Sequence, residues 1–331
     1  MTAPRPSEDA LIARYFAPLA GPGGLGLADD AAVLTPAQGE DIVLTKDALV
    51  AGVHFFADDP PGAVAQKALR VNLSDLAAKG ALPLGFLLGL ALPPDWTEDW
   101  LAAFAQGLGD DAARFACPLL GGDTVRTPGP LTLSVTALGS VPQGRMLRRE
   151  TARPGDRLYV SGTIGDAALG LRLRLGKAAD KGWVASLGEG ERRHLVERYL
   201  LPQPRLALRD ALRAHASAAM DISDGLVGDC RKLLGGIGAC VDLASLPLSP
   251  AARAAIALSS DLFDTAVTGG DDYEILCAVP PARASAFEAT AEGAGVTVTN
   301  IGDVTQAGAA ALFLGLSGEA RDFPSGSFSH Y

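Results

Sequence analysis

The stretch Ile42-Val43-Leu44-Thr45-Lys46-Asp47, followed by Val71-Asn72-Leu73-Ser74-Asp75-Leu76-Ala77-Ala78, sets the fold class. The first segment is an apolar, β-branched run that reads as a strand with Asp47 just after its end. The second lies in a longer alanine- and leucine-rich segment, residues 63–79, that reads as a helix with Asn72 and Asp75 on one face. A strand delivering an acid, then a helix carrying another, belongs to α/β or α+β architecture. Working outward, residues 95–115 read as a second helix, with acids near its start and Arg114 near its end, as the helix dipole prefers. Strands are expected around Leu119 and over 131–138. The apolar run 84–92, fenced by Pro83 and Pro93, is too short to span a bilayer and reads as a buried strand.

Arg153-Pro154-Gly155-Asp156 is a turn signal before the strand 157–161, and it places a boundary between a domain of residues 1–150 and one of 151–331. The second half continues with helices from about Ala167, over 191–200 and 206–215, and from the Asp221 corner through Leu234, then a strand over 273–279. A faint echo links Asn72-Leu73-Ser74-Asp75 to Asp221-Ile222-Ser223-Asp224, and Gly121-Gly122-Asp123 to Gly269-Gly270-Asp271; convergence on similar corners accounts for it as well as duplication does.

A chain of 331 residues with 48% hydrophobic and 20% charged residues is globular and long enough for two cores. Its formal charge of -10 argues against a polyanion-binding surface, so small-molecule substrates are expected and nucleic acid is not. Glu8 and Asp9 interrupt any signal-peptide core, no membrane partner is expected, and four scattered cysteines without a CxxC pair suit a reducing cytoplasm.

Chemistry is carried by aspartates at what read as small-residue corners: Asp29 and Asp30, Asp47, Asp75, Asp123 in Gly121-Gly122-Asp123-Thr124, Asp221 and Asp224, and Asp271 and Asp272. Each alone has an ordinary reading as an acidic turn, a strand end, a polar helix stripe or a helix cap. Together they form a set of hard oxygen ligands of the kind that binds Mg²⁺ with waters and substrate phosphates. No P-loop, HRD or DFG signature occurs, and Gly21-Pro22-Gly23-Gly24-Leu25-Gly26 follows no strand, so it reads as a flexible loop. Arg145, Arg148 and Arg149 cluster either as a solvated turn or as a phosphate grip.

The ordered string Ala28-Asp29-Asp30-Ala31-Ala32-Val33, Thr45 through Phe55, Val71 through Ala78, Gly121-Gly122-Asp123-Thr124, Asp221-Ile222-Ser223-Asp224-Gly225-Leu226 and Gly269-Gly270-Asp271-Asp272-Tyr273-Glu274 resembles the thiamine-monophosphate kinase family over nearly the whole chain. The resemblance implies a two-domain fold like that of aminoimidazole ribonucleotide synthetase, with mixed sheets packed by helices. It implies a homodimer formed by N-terminal ATP- and Mg²⁺-binding domains, with the C-terminal domain completing the substrate site. It implies ATP-dependent phosphorylation of thiamine monophosphate in the cytoplasm, the last step to thiamine diphosphate. Carried over by position, Asp30, Thr45, Asp47, Asp75, Asp123, Asp221 and Asp224 would hold Mg²⁺, with Asp47, Asp75 and Asp123 catalytic. Gly122, Asp123, Arg149 and Ser223 would contact ATP, and His54, Asp271 and Phe328 would line the thiamine phosphate site. Three positions depart from the family's pattern: Lys46 stands for a hydroxyl residue, Asp271 for a glutamate and Ala28 for a glycine.

The implied chemistry explains what is missing, since a phosphate monoester with a second pKa of about 6 is already largely dianionic and needs no general base. Related readings are a selenide water dikinase, disfavoured because the first cysteine is Cys117, and a hydrogenase-maturation protein, disfavoured because the chain ends His330-Tyr331. A formylglycinamidine-type cyclase and a non-catalytic nucleotide or divalent-ion sensor remain as alternatives.

Overall fold

In the computed structural model, residues 6–307, 310–324 and 326–327 are described, and they form two compact units. One comprises residues 1–76 and 81–144, the other 77–80 and 145–331. Phe328, expected at the thiamine phosphate site, lies outside the described residues.

The first unit is a four-stranded sheet built from β1 (Glu40–Val50), β2 (Leu82–Leu92), β3 (Leu119–Arg126) and β4 (Thr132–Pro142), in the order β1-β4-β2-β3. β2 and β3 are parallel and the other pairs antiparallel. Side-chain alternation gives the sheet two faces. Val43, Leu49, Leu133, Val135, Ala137, Leu88 and Leu90 are buried on one. Leu44, Lys46 and Ala48 of β1 are exposed on the other.

Helix Pro61–Ala78 lies on the buried face: Thr45 Oγ1 donates to Asp75 Oδ2, and Leu76 Cδ2 fills the space where a Cβ at Gly139 would stand. Helix Glu98–Arg114 is capped by Thr97, whose hydroxyl accepts from Trp100 N, and it meets the first helix where Gly62 and Gly107 let the backbones touch. Between the helices Arg70 grips Asp111 bidentately, at 2.5 and 2.9 Å, with Gln66 also donating to Asp111. Both members of this ion pair are buried, so each satisfies the other in place of water.

The second unit holds a seven-stranded mixed sheet of β5 (Arg157–Ser161), β6 (Ala218–Ile222), β7 (Ile237–Asp242), β8 (Glu274–Val279), β9 (Val298–Ala307), β10 (Ala311–Leu314) and β11 (Ala320–Arg321). Their order is β11-β10-β7-β9-β5-β8-β6. Its core gathers Leu158, Val160, Met220, Ile222, Leu226, Val227, Leu276 and Ile301, so the apolar strands and helix Leu226–Leu234 bury one another.

Several local expectations are corrected. Gly121-Gly122-Asp123-Thr124 is no corner but the middle of β3, and Asp47 lies inside β1 rather than after it. The internal echo dissolves, because Asn72–Asp75 is helical whereas Asp221–Asp224 ends a strand and opens a loop. Gly21–Gly26 is tied to β3: Gly21 N donates to the Leu119 carbonyl, and a Cβ at Gly24 would lie 2.9 Å from the Leu120 carbonyl oxygen. A side chain there would push the segment off the strand.

Candidate active site

On the open face of the first unit's sheet lies a cavity of about 780 Å³. Its floor follows from strand register. Lys46, Thr136, Leu87 and Gly121 form one row across the four strands, and Ala48, Ser134, Gly89 and Asp123 form the next. Asp29 and Asp30, from the segment before β1, line the same cavity. Asp29 Oδ1 accepts from Asp30 N at 2.7 Å, which fixes the tip of that loop. The structure therefore brings Asp30, Gly122 and Asp123 to one cavity, a convergence that no local pattern in the sequence dictates.

Thr45, Asp47 and Asp75 belong to the opposite, helix-bearing side of β1, with Asp47 half-buried and Asp75 accepting from Thr45. Asp47 shares a row with Val135, Leu88 and Gly122, but three strand spacings, about 14 Å, separate it from β3. Among the described residues no three His, Cys, Asp or Glu side chains form a group able to hold a metal ion. A closed all-protein cage is thus absent among them. Mg²⁺ is usually held by one or two carboxylates and completed by water and substrate phosphates, and the dispersed oxygen donors fit that mode.

His54 sits in the turn after β1, where its Nδ1 accepts from Val50 N at 3.0 Å and its carbonyl accepts from the buried Lys67 at 3.1 Å. Because Nδ1 accepts, the ring proton is on Nε2, making that nitrogen a donor.

In the second unit, two motifs that are separate in sequence meet at one corner. Asp221 and Ile222 of β6 pair with Ile275 and Glu274 of β8, while Asp271 N donates to the Ser223 carbonyl and Tyr273 N to the Ile222 carbonyl. Asp271 and Tyr273 both adopt left-handed backbone, φ 73° and 50°, on either side of Asp272. This costs free energy for non-glycine residues and persists because both flanks are pinned. Asp272, fully buried, accepts from Gly165 N at 2.7 Å and Ala167 N at 3.3 Å at the start of helix Asp166–Leu175. Burial pushes its carboxyl well above the ordinary range.

Helix Leu226–Leu234 starts at Gly225, and neither Ser223 nor Asp224 caps it through a side chain. Instead Asp229 Oδ2 accepts from Ser223 N and Asp224 N at 3.0 and 2.9 Å, and Lys232 bridges Asp224 and Asp229. Burial raises the Asp229 carboxyl, opposed by Lys232. Asp224 is therefore paired with a lysine where metal binding was expected of it.

Glu274, one of the three acids in its motif, is also committed: Ser161, Arg198 and Arg205 all donate to it, and it is buried. Arg149 is exposed on the segment after β4. The supports missed from sequence are Asp229, Arg198 and Arg205; an acid in an otherwise apolar first helical turn was the one available signal for Asp229.

The chain matches the family described as AIR synthase related protein, N-terminal domain, over residues 28–141, and its C-terminal domain over 153–315. It is 47% identical to the thiamine-monophosphate kinase of Caulobacter vibrioides over 91% of this chain and 85% of the relative. The crystal structure of thiamine-monophosphate kinase from Stenotrophomonas maltophilia superposes with a TM-score of 0.79 at 40% identity, covering 89% of this chain and 91% of that one. AaThiL complexed with AMPPCP and TMP superposes with a TM-score of 0.77 at 29% identity, covering 98% and 94%.

Proposed function

Because the chain belongs to the thiamine-monophosphate kinase family, we propose that it transfers the γ-phosphate of ATP to thiamine monophosphate, releasing ADP and thiamine diphosphate. The observation that carries the reading is AaThiL's complex with AMPPCP and TMP, a likeness that extends over 98% of this chain.

The nucleotide phosphates enter the cavity on the open sheet face, where the backbone at Gly122 and the carboxylates of Asp30 and Asp123 meet. The family resemblance adds Arg149 and Ser223 as nucleotide contacts. Asp30, Thr45, Asp47, Asp75, Asp123, Asp221 and Asp224 would hold several Mg²⁺ ions, Asp224 giving up its Lys232 contact to do so. When bound, Mg²⁺ supplies the positive charge that lets two phosphate groups approach and align. The protein's part is positioning: Asp47 on β1 and Asp75 on helix Pro61–Ala78, both on the helix-bearing side, and Asp123 on β3 would set where that charge sits. His54, with its Nε2 donor, would suit the acceptor phosphate, and the acid Asp271 would suit the thiazolium cation. The acceptor oxygen is already ionised, so attack is direct and in line, with no protein base.

Leu44, 64% exposed on the edge strand β1, supports pairing of two N-terminal domains along that edge into a homodimer. Buried thiols at Cys117, Cys230 and Cys277 and the absence, among the described residues, of a helix long and apolar enough to cross a membrane are compatible with work in the cytoplasm.

The test is a coupled assay of ADP release with ATP, Mg²⁺ and thiamine monophosphate, with thiamine diphosphate identified by chromatography. Turnover only with a formylglycinamidine ribonucleotide, or saturable nucleotide binding without turnover, would replace this reading by cyclase or sensor.

A further inference from the structure

From the charge layout of the cavity we infer that Lys46 is a built-in phosphate contact of the nucleotide site, a fixed cation that this chain places beside the triphosphate; this rests on the proposed placement of ATP. Among the described residues lining the cavity Lys46 is the only cation, facing the acids Glu8, Asp29, Asp30 and Asp123. It projects from the middle of β1, in one row with Thr136 and Gly121, so a rigid strand rather than a loop sets its position. It forms no ion pair with any described residue, although three aspartates share its cavity. A lysine held among acids yet engaged by none keeps its three donors for a ligand. The ligand that fits is a polyphosphate, because an ammonium is a point charge that binds phosphate oxygens directly, while the carboxylates nearby can reach phosphate only through metal ions.

Neighbouring groups support the assignment. The Ser134 and Thr136 hydroxyls stand in the same two rows and can donate to the same oxygens, and a cavity of about 780 Å³ has room for a nucleotide.

The test is calorimetric binding of β,γ-methylene ATP and of adenosine to the full chain in Mg²⁺, for wild type, Lys46→Met and Lys46→Arg. Lys46→Met is expected to weaken the triphosphate analogue by about tenfold to a hundredfold, the loss of one charged hydrogen-bonding contact, and to leave adenosine unchanged. The deficit should shrink as KCl is raised, and Lys46→Arg should stay within about threefold of wild type because the charge is kept. Equal binding of the analogue by wild type and Lys46→Met, tighter binding by Lys46→Met, or an equal loss for adenosine would each overturn the inference. Wild type that shows this Lys46 dependence yet does not phosphorylate thiamine monophosphate would overturn the proposed reaction and leave the phosphate contact standing.

Discussion

Replacing Gly122 by alanine probes whether the exact course of β3 positions Asp123. A Cβ at 122 would lie 1.9 Å from the Leu88 carbonyl oxygen and 2.8 Å from its carbon. Backbone cannot rotate away as a side chain can. To restore even 3.0 Å, β3 must retreat from β2 by at least 1.1 Å (3.0 minus 1.9). That retreat disrupts the ladder that pairs Leu87–Leu92 with Gly121–Arg126. Strain of about 1–3 kcal/mol and one or two lost ladder bonds at about 0.5–1.5 kcal/mol each give a destabilisation of about 1.5–6 kcal/mol. At about 2–4 °C per kcal/mol, melting falls by about 3–24 °C. A shift of about 1 Å in Asp123 should also lower kcat/KM by about a hundredfold. Gly121→Ala is the internal control, since its Cβ meets only Leu87 Cδ2, the end of a movable side chain, at 3.3 Å. Scanning calorimetry and the ADP-release assay on both variants decide the matter. If Gly122→Ala melts and turns over like Gly121→Ala, close strand approach does not position the site.

Asp47→Asn and Asp75→Asn should each lower kcat by at least about a hundredfold while shifting melting by only a few degrees, as expected of charge-positioning groups outside the core; near-wild-type turnover in both would refute their role. Asp229→Ala leaves the Ser223 and Asp224 amides without their acceptor and should cost about 2–4 kcal/mol by urea titration, with KM for ATP rising as the corner loosens. Asp272 gives a pH prediction. Its folded carboxyl titrates above the unfolded value of about 3.9, so the native state holds that proton more tightly. The stability this contributes is complete below about 3.9 and is lost as pH rises through the raised folded value. Asp272→Asn cannot ionise, so its melting temperature relative to wild type should climb with pH; a flat or falling difference would show that the carboxylate is ionised without penalty.

The first unit's helices were legible because their signals are local. Helix Pro61–Ala78 was expected at 63–79, and Thr97 with Glu98 and Asp99 marks the start of Glu98–Arg114. Glycine was the misleading letter. At 121 and 122 it suggests a turn, whereas in β3 the glycine at 122 serves close approach to β2, a requirement set by a strand more than thirty residues away. Strands β6, β7 and β9 went unread for a related reason. Ala218-Ala219-Met220-Asp221-Ile222 has little β-branched content, and it becomes a strand because β8 offers it an edge to pair with.

The acids pose a sharper problem, because one letter covers two opposite uses. Asp29, Asp30 and Asp123 line a cavity, whereas Asp229, Asp272 and Glu274 are buried and already accept from backbone amides, lysine or arginine. Both kinds sit beside glycine or small residues in sequence, so spacing does not separate them. Burial does. Asp229, Asp272 and Glu274, sealed from water, have oxygens already satisfied inside the fold, which takes these three out of the ligand set, whereas Asp29, Asp30 and Asp123 at the cavity wall keep oxygens open to an incoming cation. The motif Gly269-Gly270-Asp271-Asp272-Tyr273-Glu274 contains both: Asp272 and Glu274 anchor the corner to helix Asp166–Leu175 and to Arg198 and Arg205. Asp271 is held between them with its amide pinned to Ser223 and its backbone left-handed. Anchors on both sides are what make such a conformation affordable, and they make the direction of the Asp271 side chain a property of its neighbours. Substitutions at Asp272 should therefore alter recognition at Asp271 even though Asp272 never meets solvent.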